Sequence, residues 1–497
     1  MADGWARVTG RVGVCSVHQG PGLTNAMTGL AEAVKASTPL VVLAADTPAA
    51  ARLSNFRIDQ HALVESVGAA AERVRSAASA ASDAARALRR ATAERRPVVL
   101  MMPIDLCAQP AAGPDGAPAA PTPLPAPPRP AQEAIAAAAD LLAGSQRPLL
   151  IAGRGAVLAD AGAAIEALGA RTGALLATSA MANGLFAGRP YALGISGGFA
   201  SPRAAELIAE SDLIVAFGAT LNGWTTRHGA LIGAGAKVVQ VDLRTQALGA
   251  HHAVAVPVLA DAAESARAFE HELAARGHHG EGRRTGAVAR EIARTTWHDD
   301  PYVDRGTAEH IDPRTLSRAL EDLLPEEKTV AVDSGHFMGY PSMFLRVSDA
   351  RAWVFANGFQ AVGLGLGTAI GAAVARPDRL TVAAVGDGGL FMALEELETA
   401  ARLGLRLLVV VFDDGAYGAE VHHFAPMGHD VGTVRFPDSD VAAIARGAGA
   451  EAITVRSPDD LEPIGDWLRG GRNPLVVDAK VNPEVSAEWL SEAFRAG

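Results

Sequence analysis

The chain has 497 residues and a mass of 51.0 kDa, which is too long for one hydrophobic core and suits two or three α/β domains. With 49% hydrophobic and 20% charged residues, general disorder is excluded, and a formal net charge of −11 without a basic run argues against nucleic acid as a partner. Two cysteines, Cys15 and Cys107, cannot build a disulfide framework, and no apolar run suits a membrane span, so we expect a reduced, cytoplasmic enzyme.

Two breaks in composition divide the chain. The stretch 109–132 is rich in Pro and Ala and predicts an extended linker. The stretch 276–312 is polar, with many Gly, His and Arg residues, and predicts a second linker. Three domains are therefore expected, at 1–108, 133–275 and 313–497.

Each predicted domain repeats one pattern, in which a short apolar strand is followed by a Gly-rich turn and an Ala- and Leu-rich helix. In chain order, the predicted strands are Val12–Val17, Leu40–Ala44, Val98–Met102, Pro148–Ala152, Leu213–Ala216, Lys237–Val241, Thr329–Val332, Leu380–Val385, Arg406–Phe412 and Leu475–Val477. In the first domain, helices are predicted at Thr24–Lys35 and Ala78–Glu94. Uninterrupted apolar strands that alternate with helices indicate buried parallel sheets. The predicted fold class is α/β, with three doubly wound parallel-sheet domains in a row.

The first domain has an unusual beginning. Met1–Val8 has the pattern of the second half of a helix, without an N-cap residue or a preceding strand. The domain is also shorter than its neighbours. We therefore expect it to be N-terminally truncated, with some 40–60 upstream residues supplying the missing strands and helix.

The most informative segment lies in the third domain. The strand Leu380–Val385 runs into Gly386-Asp387-Gly388-Gly389, and the strand Arg406–Phe412 ends at Asp413-Asp414. In a right-handed βαβ unit both strand ends emerge at one sheet edge, so Asp387 and Asp414 are expected to face one site. The glycines let backbone N–H groups approach a diphosphate, and two carboxylates beside it suit Mg²⁺. Either motif alone is also typical of an ordinary turn.

This segment, 382–418, resembles the diphosphate–Mg²⁺ motif of thiamine-diphosphate (ThDP) enzymes, in the superfamily of acetolactate synthase, pyruvate decarboxylase and benzoylformate decarboxylase. The resemblance covers nearly the whole chain. Residues 1–46 resemble the pyrimidine-binding domain of that superfamily, the middle domain resembles its central domain, and 355–375 resembles the helix beneath the cofactor. The three domains are thus expected to be pyrimidine-binding, central and diphosphate-binding.

The resemblance implies a set of site residues. Asp387 and Asp414 match the side-chain ligands of Mg²⁺, and Ala416 matches the residue that gives a backbone oxygen. Val362 matches the apolar residue that bends the cofactor, and the Gln360 carbonyl matches the acceptor of its 4′-amino group. Further cofactor contacts are implied for Gly335, His336, Gly386, Gly388, Gly389 and Tyr417.

The resemblance also implies the chemistry. Bound ThDP supplies a carbanion that adds to a 2-oxo acid and takes up the electrons when CO₂ leaves. The superfamily's activating Glu precedes the segment matched by residues 1–4, so no Glu is assigned here. His18 ends a strand at a Gly-Pro-Gly turn and is the candidate for moving a proton, the alternative being a cap of the next helix. Asn25 is a candidate contact of cofactor or substrate, or else an ordinary residue of a first helical turn.

Several motifs remain secondary. His422 and His423 follow the metal loop and either line the substrate entrance or are solvated. Gly153-Arg154-Gly155 suggests a dinucleotide site, but a lone Gly-x-Gly is a weak signal. The acetolactate synthase elements of the central domain are replaced in 218–229. FAD, which those enzymes hold there, is therefore not favoured.

The leading hypothesis is a ThDP- and Mg²⁺-dependent decarboxylase or carboligase of small 2-oxo acids, acetolactate synthase-like. It is expected to be a homodimer or homotetramer with its sites between subunits. The first alternative is a non-catalytic or regulatory ThDP-binding homologue. The second is a nicotinamide-dependent oxidoreductase, which would need a Gly-x-Gly-x-x-Gly with an acidic residue ending the next strand, and no domain has both.

Overall fold

A computed structural model describes residues 1–110 and 123–493. Within these ranges the strands form three sheets in which every pairing is parallel. The prediction of three α/β domains with parallel sheets is confirmed. Residues 111–122 of the predicted first linker, and 494–497 of the predicted third domain, lie outside the described residues.

In the first domain the sheet order is β1-β2-β4-β3. Its strands are β1 Gly13–Val17, β2 Leu40–Asp46, β3 Ala70–Arg73 and β4 Pro97–Pro103. Its helices are α1 Ala2–Thr9, α2 Pro21–Asn25, α3 Met27–Lys35, α4 Gln60–Ser66, α5 Ala80–Glu94 and α6 Ile104–Cys107. The helix predicted at Thr24–Lys35 is thus two helices, with Ala26 between them. Strand β1 lies at the sheet edge, where Val14 is 59% exposed.

The second domain has the sheet order β10-β9-β8-β5-β6-β7. Its strands are β5 Pro148–Ala152, β6 Leu175–Thr178, β7 Ala192–Ile195, β8 Leu213–Phe217, β9 Lys237–Asp242 and β10 Val256–Leu259. Its helices are α7 Gln132–Gly144, α8 Arg154–Leu158, α9 Gly162–Thr172, α10 Pro202–Ala209, α11 Gly223–Thr226 and α12 Ala262–Ala275. Apolar side chains cover both sheet faces, as buried parallel strands require.

In the third domain the sheet order is β12-β11-β13-β14-β16-β15. Its strands are β11 Lys328–Val332, β12 Trp353–Phe355, β13 Leu380–Gly386, β14 Leu407–Asp413, β15 Glu451–Val455 and β16 Leu475–Lys480. The chain also forms α13 Gly286–Ile292 ahead of this domain, and then α14 Pro313–Leu323, α15 Gly339–Phe344, α16 Gly365–Ala375, α17 Asp387–Met392, α18 Glu395–Arg402, α19 Gly418–Phe424, α20 Val441–Gly447, α21 Glu462–Gly470 and α22 Glu488–Ala493. Strands β13 and β14 are paired neighbours in the middle of the sheet.

Six strands are absent from the prediction, and three of them are short or partly exposed. The six are β3, β6, β7, β10, β12 and β15. Strands β3 and β15 have polar, partly exposed faces, and β12 has three residues. Such segments show neither a long apolar run nor strict alternation, and tertiary pairing decides their structure.

The first and third domains pack closely through two helices, α1 and α16. A Cβ on Gly4 would collide with the backbone of Thr368. Glycine at this position therefore lets the helix backbones approach at the crossing point.

The segment 276–312 is more than a linker. It contains α13, and the Arg284 guanidinium binds both carboxylate oxygens of Glu166, at 2.8 and 3.2 Å. The Trp297 indole N–H donates to the Phe199 carbonyl at 2.7 Å. The segment thus packs against the second domain, which the polar composition alone did not indicate.

None of the helices in the described ranges has the length and apolar character that crossing a bilayer requires.

Candidate functional site

A cavity of about 240 Å³ lies where β11, β13 and β14 end. Eleven of the residues assigned by resemblance line it, namely Gly335, His336, Gln360, Val362, Gly386, Asp387, Gly388, Gly389, Asp414, Ala416 and Tyr417. They come from four separate segments of the third domain, and parallel strands bring those segments to one edge.

Two carboxylates face this cavity. Asp387 begins α17 directly after β13, and Asp414 follows β14, so pairing of these strands places both at one edge. Asp387 is 3% exposed. Burial, and then the charges of Asp414 and Asp413, raise the pKa of Asp387 to about 9. Like charges held together in this way favour a divalent cation between them.

Glycines leave room around the two aspartates. A Cβ on Gly388 would lie 2.5 Å from the Tyr417 ring, and one on Gly418 would collide with the Asp414 carboxylate. A Cβ on Gly386 would lie 3.2 Å from the Phe337 ring. Glycine at these positions therefore lets the Tyr417 and Phe337 rings and the Asp414 carboxylate approach the backbone of the site closely.

The donor set fits a Mg²⁺ ion bound together with a diphosphate. Within 1–110 and 123–493, no group of three or more His, Cys, Asp or Glu side chains could hold a metal. The side chains offer Asp387 and Asp414, and the buried Ala416 lines the same cavity. Mg²⁺ commonly takes one or two carboxylates and completes its shell with phosphate oxygens and water.

His336 is buried beside Asp414, one of the two carboxylates that could bind a metal. Its Nε2 accepts the backbone N–H of Ala487 at 2.8 Å, so the neutral ring carries its proton on Nδ1. That atom lies 3.7 Å from Asp414 Oδ2, beyond hydrogen-bond length. The His422 ring packs against the His336 ring with centroids 4.4 Å apart. Burial, and then the charge of His336, lower the pKa of His422 to about 4.

Asp333 anchors the loop that carries Val362. This buried carboxylate accepts the backbone N–H groups of Gly363 at 2.9 Å and Leu364 at 3.1 Å. Burial raises its pKa to about 6. Gln360 has a φ of 61°, a left-handed conformation that is uncommon outside glycine. The sequence analysis missed Asp333, although its position directly after β11 is a signal for it.

His18 and Asn25 lie away from this cavity within the chain. His18 is exposed, with Nδ1 2.9 Å from the Gln19 carbonyl oxygen and its ring edge-on to Phe56. It does not cap α2, whose N-cap is Gly20. Asn25 is exposed at the last position of α2, not in a first helical turn.

Aromatic residues from elsewhere in the chain close the cavity, and these were not predicted. Trp224 comes from the second domain, and Trp489 comes from α22. Their ring centroids are 5.4 Å apart, and Phe199 lies edge-on to Trp489 at 5.8 Å. Val485 and Leu490 complete this wall. The cluster of apolar residues after β16 was the available signal.

The glycines of the Gly153-Arg154-Gly155 motif pack against the loop at Gly218. A Cβ on Gly153 would collide with the Gly218 carbonyl, and one on Gly155 would lie 2.7 Å from the Gly218 Cα. These glycines let the loop after β5 approach the loop after β8, which explains the motif without a dinucleotide.

Three family comparisons agree with this geometry. Residues 1–71 match the N-terminal TPP binding domain of thiamine pyrophosphate enzymes, 135–269 match their central domain, and 333–479 match their C-terminal TPP binding domain. The central match contains β5 to β10, and the C-terminal match begins at Asp333.

Two of the curated relatives described here match nearly the whole chain, and a third matches part of it. A sulfoacetaldehyde acetyltransferase of Castellaniella defragrans is 30% identical over 97% of this chain and 83% of its own length. A probable 2-ketoarginine decarboxylase of Pseudomonas aeruginosa is 31% identical over 95% of this chain and 82% of its own. An acetolactate synthase of Bacillus subtilis is 28% identical over 38% of this chain and 34% of its own. With all three domains matched, the chain belongs to the thiamine pyrophosphate (ThDP) enzyme family.

Proposed function

We propose that this protein is a ThDP- and Mg²⁺-dependent enzyme that decarboxylates small 2-oxo acids or joins the resulting acyl unit to an acceptor, as acetolactate synthase does. The observation that carries the proposal is the meeting of Asp387 and Asp414 in one cavity with the glycines of 386–389. Bound ThDP supplies the carbanion chemistry that such reactions need. Family membership supports the cofactor, and the residue roles below are our assignments.

The third domain is assigned the diphosphate and its cation. Asp387, Asp414 and the Ala416 carbonyl would hold Mg²⁺, and the backbone N–H groups of 388–389 would bind phosphate oxygens. Val362 is assigned the apolar support of the bent cofactor, and the Gln360 carbonyl would accept the 4′-amino group. The Asp333 bonds to the following loop keep both residues in place.

The site is proposed to lie between two subunits, in a homodimer or a homotetramer. His18 and Asn25 are exposed in the chain and do not line its cavity. Near His18, Leu53 is 97% exposed and Phe56 is 43% exposed. Phe359, which precedes the cavity-lining Gln360, is 47% exposed. Exposed apolar side chains thus occur both in the region of His18 and next to the cavity loop. They favour contact with a second copy of the chain, which would bring His18 to the cofactor.

The cavity favours an uncharged acceptor. Trp224 and Trp489 form its far wall, and among the described residues that line it there is no Lys or Arg. A sulfonate, as in the name of the Castellaniella relative, would need a cation that the second subunit would have to supply. Pyruvate and longer apolar 2-oxo acids, whose carboxylate leaves as CO₂, are the donors to try first, and uncharged aldehydes are the acceptors to try with them.

Calorimetric titration with ThDP in Mg²⁺ tests the cofactor assignment, with Asp387→Ala as the variant. The parent protein is expected to bind and the variant is expected to stay folded without binding. Retained ThDP affinity in the variant would overturn the metal assignment. Release of CO₂ from pyruvate then separates an enzyme from the non-catalytic homologue, which would bind ThDP and release none.

Oligomeric state tests the shared site. Light scattering of the ThDP-loaded protein is expected to give about twice or four times the 51.0 kDa chain mass. Full activity in a particle of a single chain would contradict a site completed by a second subunit.

A further inference from the structure

The adjacent aspartates at the end of β14, Asp413 and Asp414, point in different directions. Side chains alternate along an extended segment, and both Phe412 and Asp414 line the cavity. Asp413, between them, does not line it and is paired in register with Lys480 of β16. Lys480 Nζ donates to Asp413 Oδ2 at 2.6 Å, and Asp413 Oδ1 accepts the Gly415 N–H at 3.1 Å. Both oxygens of Asp413 therefore have donors within the protein.

Lys480 is buried, and its ammonium group is surrounded by oxygen atoms. Its side chain is 7% exposed. Besides Asp413, the ammonium donates to the Ser439 carbonyl at 2.8 Å and to Asp438 at 3.3 Å, and it lies 3.5 Å from Asp478. A buried ammonium with four oxygen partners is held in one orientation.

The neighbourhood carries several negative charges. Burial raises the pKa of Asp387 and of Asp478, and the nearby charge of Asp413 raises both further. Asp478 is fully buried. Lys480 is thus the counter-ion of a row of carboxylates that ends at Asp387 and Asp414, the two residues assigned to the cation.

We propose that Lys480 is a positioning residue of the metal site. By binding Asp413, it holds that carboxylate away from the cavity and offsets its charge, so that Asp387 and Asp414 alone face the cation. This inference rests on the proposed function, which assigns Mg²⁺ to those two residues. Without Lys480, an unpaired carboxylate next to Asp387 would repel the diphosphate and compete with Asp414 for the cation.

Three variants test the proposal: Lys480→Met, Asp413→Asn, and the two combined. Lys480→Met is expected to raise the dissociation constant of ThDP in saturating Mg²⁺ about tenfold or more, because one partner of a buried ion pair is left alone. The double variant removes both charges and is expected to return within about threefold of the parent, since uncharged replacements of both partners are tolerated. Binding is measured by calorimetry, and unfolding temperature is measured without ligands.

Lys328→Met is the matched control. Lys328 is also buried and ion-paired, to Glu321 at 2.9 Å, but it begins β11 at the opposite end of the same sheet. Its loss is expected to lower the unfolding temperature and leave ThDP affinity unchanged. An effect of Lys328→Met on affinity as large as that of Lys480→Met would overturn a specific role for Lys480.

The ThDP affinities of Lys480→Met and of the double variant decide between the outcomes. Unchanged affinity in Lys480→Met, or a double variant as weak as Lys480→Met, would overturn the proposal. If Lys480→Met does not fold, a folded double variant with parental affinity supports it, and an unfolded double variant overturns it. Failure of the parent itself to bind ThDP in Mg²⁺ would instead overturn the proposed function.

Discussion

The carboxylate of Glu32 accepts the backbone N–H of Phe359 at 2.7 Å and that of Gly358 at 3.1 Å. Glu32 lies in α3 of the first domain and is 2% exposed, whereas the two N–H groups belong to the loop that leads into Gln360. The Arg7 guanidinium joins this contact at 3.4 Å. One domain of the chain thus holds the cavity loop of another.

Replacement of Glu32 by Gln is expected to weaken ThDP binding. The amide has one acceptor oxygen, and its NH₂ group cannot accept, so one loop N–H loses its partner. An unsatisfied buried donor costs about 1–3 kcal/mol. We expect the dissociation constant of ThDP in Mg²⁺ to rise about tenfold. Calorimetry measures it.

Glu65→Gln serves as the control for this prediction. Glu65 lies in α4 of the same domain and pairs only with the exposed His61, at 3.3 Å, among the described residues. Its replacement should leave ThDP affinity at the parental value. Equal affinities of the Glu32→Gln variant and the parent would mean that the loop keeps its conformation without this contact.

His18→Ala is expected to slow turnover far more than it weakens ThDP binding. A general acid–base group contributes roughly 10²–10⁴ in rate, whereas His18 is exposed in the chain and does not line the cofactor cavity. Steady-state kinetics of CO₂ release give kcat, and calorimetry gives the affinity. His61→Ala, another exposed histidine of this domain, is the control. Parental kcat in His18→Ala would remove His18 from the mechanism.

The sequence predicted those strands and those cavity-lining residues that depend on a local pattern. All ten predicted strands exist, because uninterrupted apolar runs that alternate with helices suit a parallel sheet buried on both faces. The site residues from Gly386 to Tyr417 meet in one cavity because β13 and β14 are neighbours.

Contacts between distant segments could not be predicted. Trp224 and Trp489 are 265 positions apart, and nothing local in either segment indicates that their rings meet. Glu32 and Lys480 likewise sit in ordinary helix and strand patterns, and their partners Phe359 and Asp413 appear only once domains and strands are assembled. Such pairings depend on topology rather than on periodicity.

Gly4→Ala is expected to destabilise the packing of α1 on α16. The added methyl would meet the Thr368 carbonyl, which is part of a helix backbone and cannot move aside. Overpacking of this kind costs about 1–3 kcal/mol. Urea unfolding measures the change in free energy.

Gly367→Ala is the matched control, since it adds the same methyl to the partner helix. There the nearest atom, the Met1 nitrogen, is 3.8 Å away, which is ordinary contact. Both substitutions gain the same helix propensity. The difference between the free energies of unfolding of the two variants therefore gives the cost of the collision at Gly4. A loss of stability for Gly367→Ala equal to that of Gly4→Ala would contradict the close approach at Gly4.

His422 is expected to make the folded protein less stable in acid. Burial, then the charges of His336 and Arg435, outweigh the opposing charge of Asp414 and lower the pKa of His422 to about 4. In the unfolded chain an imidazole has a pKa of about 6.5. As pH falls from 6.5 towards 4, the unfolded chain therefore binds a proton that the folded protein refuses, and the free energy of unfolding decreases.

His422→Phe keeps a ring against His336 and removes this titration. The variant is expected to lose less stability than the parent between pH 7 and pH 4.5, as measured by urea unfolding at steps of half a pH unit. His423→Phe changes the neighbouring histidine in the same helix and should keep the parental dependence on pH. Parallel curves for His422→Phe and the parent would mean that His422 is protonated as readily in the folded protein as in the unfolded chain, so the acid sensitivity would then arise from other groups.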